Sequence, residues 1–274
     1  MPEPPAEPIT RPGDLWILGE HRLLCGSSTV DADIAKLLGD ERPALGLHDP
    51  PYGIDIQHAE GNVGGVTAAK FAPGLTGHSI VAANAYPRIA GDDRPFDPAH
   101  LLDSGDFVVL WGANHYADKL PPSAAWIVWD KRDGMVGNDF SDAELAWCSE
   151  GGAVRTFRHL WSGLIRDGKA EDGPKRVHPT QKPIALYRWI IEEKTEPGAL
   201  VYDAYGGSGP TLLACEKLGR RARVMELAPA YVDVIVQRWQ TLTGRQAECH
   251  HAELPPRDPA PTADSVHGDD DVAF

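Results

Sequence analysis

An α/β fold built on one mostly parallel sheet is predicted by three observations. Short, near-continuous apolar runs recur along the chain, glycine or proline punctuates most of them, and helical stretches at 183–191 and 211–218 each lead into a further run. Runs of that length and continuity suit strands buried on both faces.

The elements follow in order. His21-Arg22-Leu23-Leu24-Cys25-Gly26 reads as a strand closing in a glycine turn, and 30–38 as a helix with apolar residues at helical spacing. Ala44-Leu45-Gly46-Leu47 is a short buried strand, Phe107-Val108-Val109-Leu110-Trp111 another, and Ala125-Trp126-Ile127-Val128-Trp129 a third. Residues 143–147 and 154–157 are expected to form a closing antiparallel pair. Pro183 in the first turn opens a helix whose stripe is Ile184, Leu186, Tyr187, Ile190 and Ile191, ended by Pro197-Gly198. Leu200-Val201-Tyr202 then enters a glycine loop, 211–218 is helix with Gly219 as terminator, Ala222-Arg223-Val224-Met225 is strand, and 229–242 is the last helix. The chain supplies no further strand there, so the amino-terminal strand at 22–25 is expected to fill that place.

At 274 residues and 42% hydrophobic, the chain can bury one sizeable core. Nothing reads as a signal peptide and no apolar stretch reaches membrane-spanning length, so an intracellular, cytoplasmic protein is expected. Cys25, Cys148, Cys215 and Cys249 show no paired spacing and fit reduced thiols. Cys249-His250-His251 is read as a surface turn, and no metal is expected. The formal charge of −14 is concentrated partly at the end, where six carboxylates after 252 face only Arg257. Three segments result: a proline-rich flexible stretch at 1–12, a catalytic domain at 13–252 with embedded recognition loops, and an acidic disordered tail at 253–274.

Two motifs carry chemistry. In Asp49-Pro50-Pro51-Tyr52, successive prolines stiffen a loop at a strand's carboxyl end, so a carboxylate and carbonyls are held as acceptors beside a flat ring. Such an array can receive the two hydrogens of an amino group. In Asp203-Ala204-Tyr205-Gly206-Gly207-Ser208-Gly209, the glycines allow close backbone approach and the helix start offers N–H donors. Glu226, ending the next strand, suits a pair of ribose hydroxyls.

These motifs, with His178-Pro179-Thr180-Gln181-Lys182-Pro183 between them, make the chain resemble the β class of DNA amino-methyltransferases over roughly residues 13–250. The resemblance implies a single Rossmann-like sheet, mostly parallel with an antiparallel strand pair and circularly permuted, the catalytic half first and the cofactor half last. It implies S-adenosylmethionine as cofactor, double-stranded DNA as partner, and methyl transfer to a flipped base. Asp49, Pro50, Pro51 and Tyr52 are then catalytic. Asp203, Tyr205, Gly207, Ser208, Gly209 and Glu226 are cofactor residues, Asp203 for the methionine amino group, with Thr180 and Lys182 for its carboxylate. Ser27 stands where the family commonly has Asp, and Ala204 and Tyr205 where it has Pro and Phe.

By the same resemblance Asp at the head of the tetrapeptide favours adenine N6 over cytosine N4. Alternatives are an N4-cytosine enzyme, a catalytically idle DNA-binding relative, or a dinucleotide-dependent oxidoreductase, which would leave the tetrapeptide without a role. Lys131, Arg132, Arg155, Arg158, Trp161 and Arg166 are candidate DNA contacts, lying in or near a basic segment that runs on to Lys182. Residues 56–103 read either as a lid or as a long surface loop. No large separate recognition domain fits, so a homodimer is a natural way to grip a duplex site.

Overall fold

The computed structural model describes residues 3–54, 90–132, 141–162, 165–173, 178 and 180–252. The acidic tail, most of the 56–103 segment, and Lys175 and Arg176 of the basic segment lie outside the described residues.

One sheet organises the chain. Its strands are β1 (Leu15–Leu18), β2 (His21–Cys25), β3 (Leu45–His48), β4 (Phe107–Trp111), β5 (Trp126–Asp130), β6 (Ala143–Cys148), β7 (Arg155–Arg158), β10 (Leu200–Asp203), β11 (Arg221–Glu226) and β12 (Glu248–His250). A separate two-residue pair, β8 (Trp161–Ser162) and β9 (Ile165–Arg166), forms a small hairpin. The order across the sheet is β12-β1-β2-β11-β10-β3-β4-β6-β5-β7. Its centre, β2-β11-β10-β3-β4, is wholly parallel. As expected from sequence, the amino-terminal strand fills the place beside β11, with Arg22 opposite Arg223 and Cys25 opposite Glu226.

Parallel strands bring their carboxyl ends to one edge, and that edge collects the chemistry. Asp49 follows β3, Asp203 ends β10, Glu226 ends β11, and Gly112 follows β4. Because β6 runs antiparallel to β4 and β5, it is its beginning, with Glu144, that reaches the same edge.

Alternation along the strands builds a core on each face. Leu23, Val224, Val201, Leu47 and Trp111 pack on one side with helices α3 (Ile184–Lys194), α4 (Pro210–Leu218) and α5 (Pro229–Thr243). Leu24, Met225, Tyr202, Val108 and Leu110 face the other way, toward α1 (Asp31–Leu38) and short 3-10 turns at Ala99–Leu101 and Ala113–His115. Helix α3 begins one residue after Pro183, and its first N–H is capped by Asp172 of the one-turn α2 (Lys169–Asp172), Ile184 N donating to Oδ1 at 3.1 Å. Gly219 ends α4 in a left-handed conformation, as its sequence position suggests.

Three expectations change. Residues 143–148 and 155–158 do not pair with each other: β6 lies between β4 and β5, and β7 pairs parallel with β5 at the sheet's edge. Strand β12 replaces the expected surface turn at Cys249, pairing with β1 through Trp16 opposite Cys249. The end of the amino-terminal segment is tied down, since Ile9 N donates to Asp233 Oδ2 at 2.7 Å and buried Thr10 bonds Asp233 through backbone and hydroxyl. Among the described residues, no helix is long and apolar enough to cross a membrane.

Candidate functional site

The tetrapeptide and the glycine loop are physically coupled by the residue before Asp49. His48 is fully buried, and its Nδ1 accepts the Ala204 N–H at 3.0 Å, so the ring proton sits on Nε2 and is donated to Ser104 Oγ at 2.7 Å. Burial pushes the imidazole down to about 3, which keeps it neutral. A shift in either loop is therefore felt by the other.

Asp49 is held asymmetrically. Its Oδ1 accepts the Tyr52 hydroxyl at 2.6 Å and the Lys182 ammonium at 2.6 Å, whereas Oδ2 takes part in neither bond. Lys182 also donates to the Tyr52 oxygen at 3.0 Å and lies 3.1 Å from Glu144 Oε2. Glu144 Oε1 in turn receives Lys131 Nζ at 2.9 Å. Burial raises the Asp49 carboxyl above its ordinary range and outweighs the pull of Lys182. Burial would likewise raise Glu144, but Lys182 and Lys131 together overcome it and hold that carboxyl at about 2.

The Tyr52 ring owes its place to a glycine. Gly112, at φ +68°, lies so close that a Cβ there would fall 2.1–2.4 Å from the ring carbons, a clash with no room for relief. His115, in the turn that follows Gly112, stacks on the ring at 5.3 Å between centroids and 15° between planes. Pro50 is buried and Pro51 half-buried in the same loop.

Glu226, at the end of β11, is held by backbone donors. Its Oε2 accepts the Gly207 N–H at 2.7 Å and its Oε1 the Ala228 N–H at 2.8 Å, so the carboxylate is fixed while lone pairs remain. Burial raises it to about 7. The loop reverses through Gly209 at φ +82°, where a Cβ would press to 2.9 Å on Ile235 Cγ1 and Cγ2. Ser208 is buried beside it, and Thr180 bonds His178 Nδ1 through both its N–H and hydroxyl. Ser27 donates its N–H to Asp33 Oδ2 at 2.8 Å, so an acid from the first turn of α1 holds the loop where the family commonly has its own.

Asp203 and Lys182 depart from their expected roles. Asp203 is 1% exposed and turned into its own loop, Oδ1 taking the Tyr205 N–H at 3.0 Å and Oδ2 the Thr211 hydroxyl. It shapes the turn. Lys182 faces Asp49, Tyr52 and Glu144, donating to the first two and ion-paired with the third.

The candidate nucleic-acid residues divide. Lys131 is engaged with Glu144, and Arg132 is 5% exposed and paired with Asp142 at 2.7 Å. Trp161 is 4% exposed, donates to the Gln181 carbonyl at 3.0 Å, and is covered by the Arg166 guanidinium 4.8 Å from its ring. These four are engaged within the protein, by ion pairs for the first two and by burial for Trp161 and Arg166. Arg155 and Arg158 stand exposed on the edge strand β7. Cys249 and His251 do meet a third candidate ligand, Asp14, with His251 Nδ1 3.1 Å from Asp14 Oδ2 and 3.6 Å from Cys249 Sγ. Asp14 also accepts the N–H groups of Arg11 and Ala252, so this carboxylate clasps the two ends of the core.

A cavity of about 610 Å3 is lined by Asp49, Tyr52 and Thr180 together with Gly207, Glu226 and Ser27. Phe96 and His100 add an aromatic wall, His100 Nε2 lying 3.0 Å from the Tyr205 hydroxyl. Sequence reasoning missed Glu144, His48 and this wall. The available signal for Glu144 was a lone charge in the strand Ala143-Glu144-Leu145-Ala146-Trp147-Cys148.

Residues 123–237 match the family model N6_N4_Mtase, described as DNA methylase. Over 136 residues it is 29% identical to Type II methyltransferase M.HinfI of Haemophilus influenzae, covering 41% of this chain and 38% of that protein. Putative methylase YubD of Escherichia coli (strain K12) is 43% identical over 56 residues, 20% of this chain and 25% of that protein. The matched stretches thus span well under half the length of these curated relatives. Among solved structures, the M1.HpyAVI–SAM complex aligns with a TM-score of 0.45 at 17% identity, over 79% of this chain and 97% of that one. PvuII DNA methyltransferase (cytosine-N4-specific) gives 0.44 at 17% identity, over 79% and 85%.

Proposed function

We propose that this chain moves a methyl group from S-adenosylmethionine to the exocyclic amine of a base flipped out of duplex DNA, with adenine N6 favoured over cytosine N4. The observation that carries the reading is a single one. The Asp49 carboxylate, with Oδ2 outside the bonds to Tyr52 and Lys182, lines the same cavity as Glu226 and Gly207. The family match and the name of the M.HinfI relative support the reaction class.

The residues present fit the cofactor. A rigid carboxylate suited to ribose hydroxyls, loop glycines lining the wall, and room for a nucleoside-sized group beside a base are all found in one cavity. When bound, S-adenosylmethionine supplies an electrophilic methyl on a sulfonium. Asp49 Oδ2 and a proline carbonyl accept the two amine hydrogens, which draws the nitrogen toward tetrahedral geometry and aims its lone pair. Methyl transfer to the aimed nitrogen would leave the amine cationic, with the C–S bond electrons on sulfur, and Asp49, with water, would be the acceptor for its departing proton. The preference for adenine rests on the Asp-first tetrapeptide by family resemblance. We further read residues 13–252 as the catalytic domain, its segment order as a circular permutation, and Arg155 and Arg158 as phosphate contacts.

Asp49→Ala tests the proposal. Labelled methyl transfer to DNA should vanish while calorimetric affinity for S-adenosylmethionine is unchanged; a parallel loss of cofactor affinity would move Asp49 out of the amine site.

A further inference from the structure

The geometry points to Lys182 and Glu144 as positioning residues for the reacting carboxylate, Lys182 by direct contact and Glu144 by holding Lys182. This inference rests on the function proposed above. Four elements converge to make the arrangement: Asp49 comes from the end of β3, Lys182 from the loop entering α3, Glu144 from the start of β6, and Lys131 from just beyond β5. They form a row of alternating charge with buried Lys182 inside it, Lys131 to Glu144 at 2.9 Å, Glu144 to Lys182 at 3.1 Å, and Lys182 to Asp49 at 2.6 Å.

The ammonium donates to Asp49 Oδ1 and to the Tyr52 hydroxyl, and Glu144 Oε2 lies 3.1 Å away as its second ion-pair partner. The Lys182 side chain is 3% exposed, so it cannot also serve an anionic group in the cavity without abandoning these partners. Its donors are directed at the reacting residue. With Oδ1 pinned by both Lys182 and Tyr52, the carboxylate cannot turn, and Oδ2 is the oxygen left to receive an amine hydrogen. Glu144 keeps the ammonium in line through this ion pair, since without it the buried lysine cation would lose one of its two compensating charges.

The row also sets how readily Asp49 carries its charge. Lys182 and Tyr52 touch it, while Glu144, Asp203, Tyr116 and Tyr187 face it from further off. Removing the cation disfavours the carboxylate, and removing the anion Glu144 favours it.

The test uses Lys182→Met and Glu144→Gln in the full chain, with melting curves to confirm folding. Both should lower kcat, Lys182→Met by roughly 10- to 100-fold and Glu144→Gln by less, with S-adenosylmethionine affinity unchanged. The acid limb of the kcat profile should move to higher pH in Lys182→Met and to lower pH in Glu144→Gln. Carbon-13 titration of the Asp49 carboxyl, assigned through Asp49→Asn, should shift in the same two directions in protein free of DNA and cofactor. Superimposable titrations in all three proteins would overturn the inference, as would lost cofactor affinity with kcat intact in Lys182→Met. If Lys182→Met fails to fold, Glu144→Gln carries the same test. Absence of DNA methylation by the unmodified chain would instead refute the proposed function, and the carboxyl titration would still decide the positioning roles.

Discussion

Tyr52→Phe separates two functions of one side chain. From sequence alone the ring was its only evident asset, and Phe would be expected to retain most activity. The structure adds a hydroxyl that donates to Asp49 Oδ1 at 2.6 Å and accepts from Lys182 at 3.0 Å. Phenylalanine keeps the stack on His115 and the seat against Gly112, and removes only that oxygen. A hydrogen bond to a charged group contributes about 1.5–3 kcal/mol, and about 1.4 kcal/mol is tenfold in rate, so a loss felt in the transition state slows kcat roughly 10- to 100-fold. The direction of the pH effect follows as well. Asp49 is already raised by burial, and loss of a donor to its charged form raises it further, so activity falls away at higher pH on the acid side. Steady-state methylation from pH 5 to 9 reads both quantities. Tyr52→Ala should be slower still by about 1–3 kcal/mol of lost stacking on the base. A Phe variant matching the parent in kcat and acid limb would refute the role of the hydroxyl; equal rates for Phe and Ala would remove the ring from base stacking.

Other substitutions probe the remaining parts. Glu226→Ala should weaken S-adenosylmethionine binding by about 1–3 kcal/mol with DNA affinity unchanged; calorimetry giving the parental Kd would leave Glu226 as a brace for Gly207 and Ala228 alone. Gly209→Ala combines the cost of a left-handed residue, about 1–2 kcal/mol, with a Cβ pressed on Ile235, about 1–3 kcal/mol, and should lower Tm clearly. An unshifted melting curve would show that the loop adapts. Replacing Arg155 and Arg158 with Ser should reduce the salt dependence of DNA binding by a slope of roughly 0.9 per lost phosphate contact, whereas Trp161→Ala should act on stability, by about 3–5 kcal/mol. A destabilised arginine variant, or a Trp161 variant defective only in DNA binding, would reverse that division.

Much of the frame was legible because its signals are local. The runs at 45–48, 107–111 and 200–203, the helices closed by Gly219 and by residues near 243, and both motifs declare themselves within a few residues. Apart from the place of β2 beside β11, what escaped depends largely on which strands become neighbours. The pairing of β6 with β4 rather than β7 follows from sheet order, and it is that order which brings Glu144 to the active edge. Asp203 looked like a ligand because of its position before a glycine loop, but it is 1% exposed and turned into its own loop, toward the Thr211 hydroxyl and Tyr205 N–H. Lys182 was assigned by resemblance, and only the fold shows that a residue 133 positions from Asp49 in sequence meets it at 2.6 Å. Trp161 and Arg166 read as surface groups from composition; burial beside Gln181 is invisible until Gln181 is placed.

The most direct test is chemical. Duplex DNA incubated with the chain and methyl-labelled S-adenosylmethionine, digested to nucleosides and analysed by mass spectrometry, should contain labelled N6-methyladenine, and none after reaction with Asp49→Ala. Label in N4-methylcytosine alone would correct the base and leave the amine chemistry standing. Label only on a ring carbon, as in 5-methylcytosine, or no labelled nucleoside from a chain that binds the cofactor, would contradict the account.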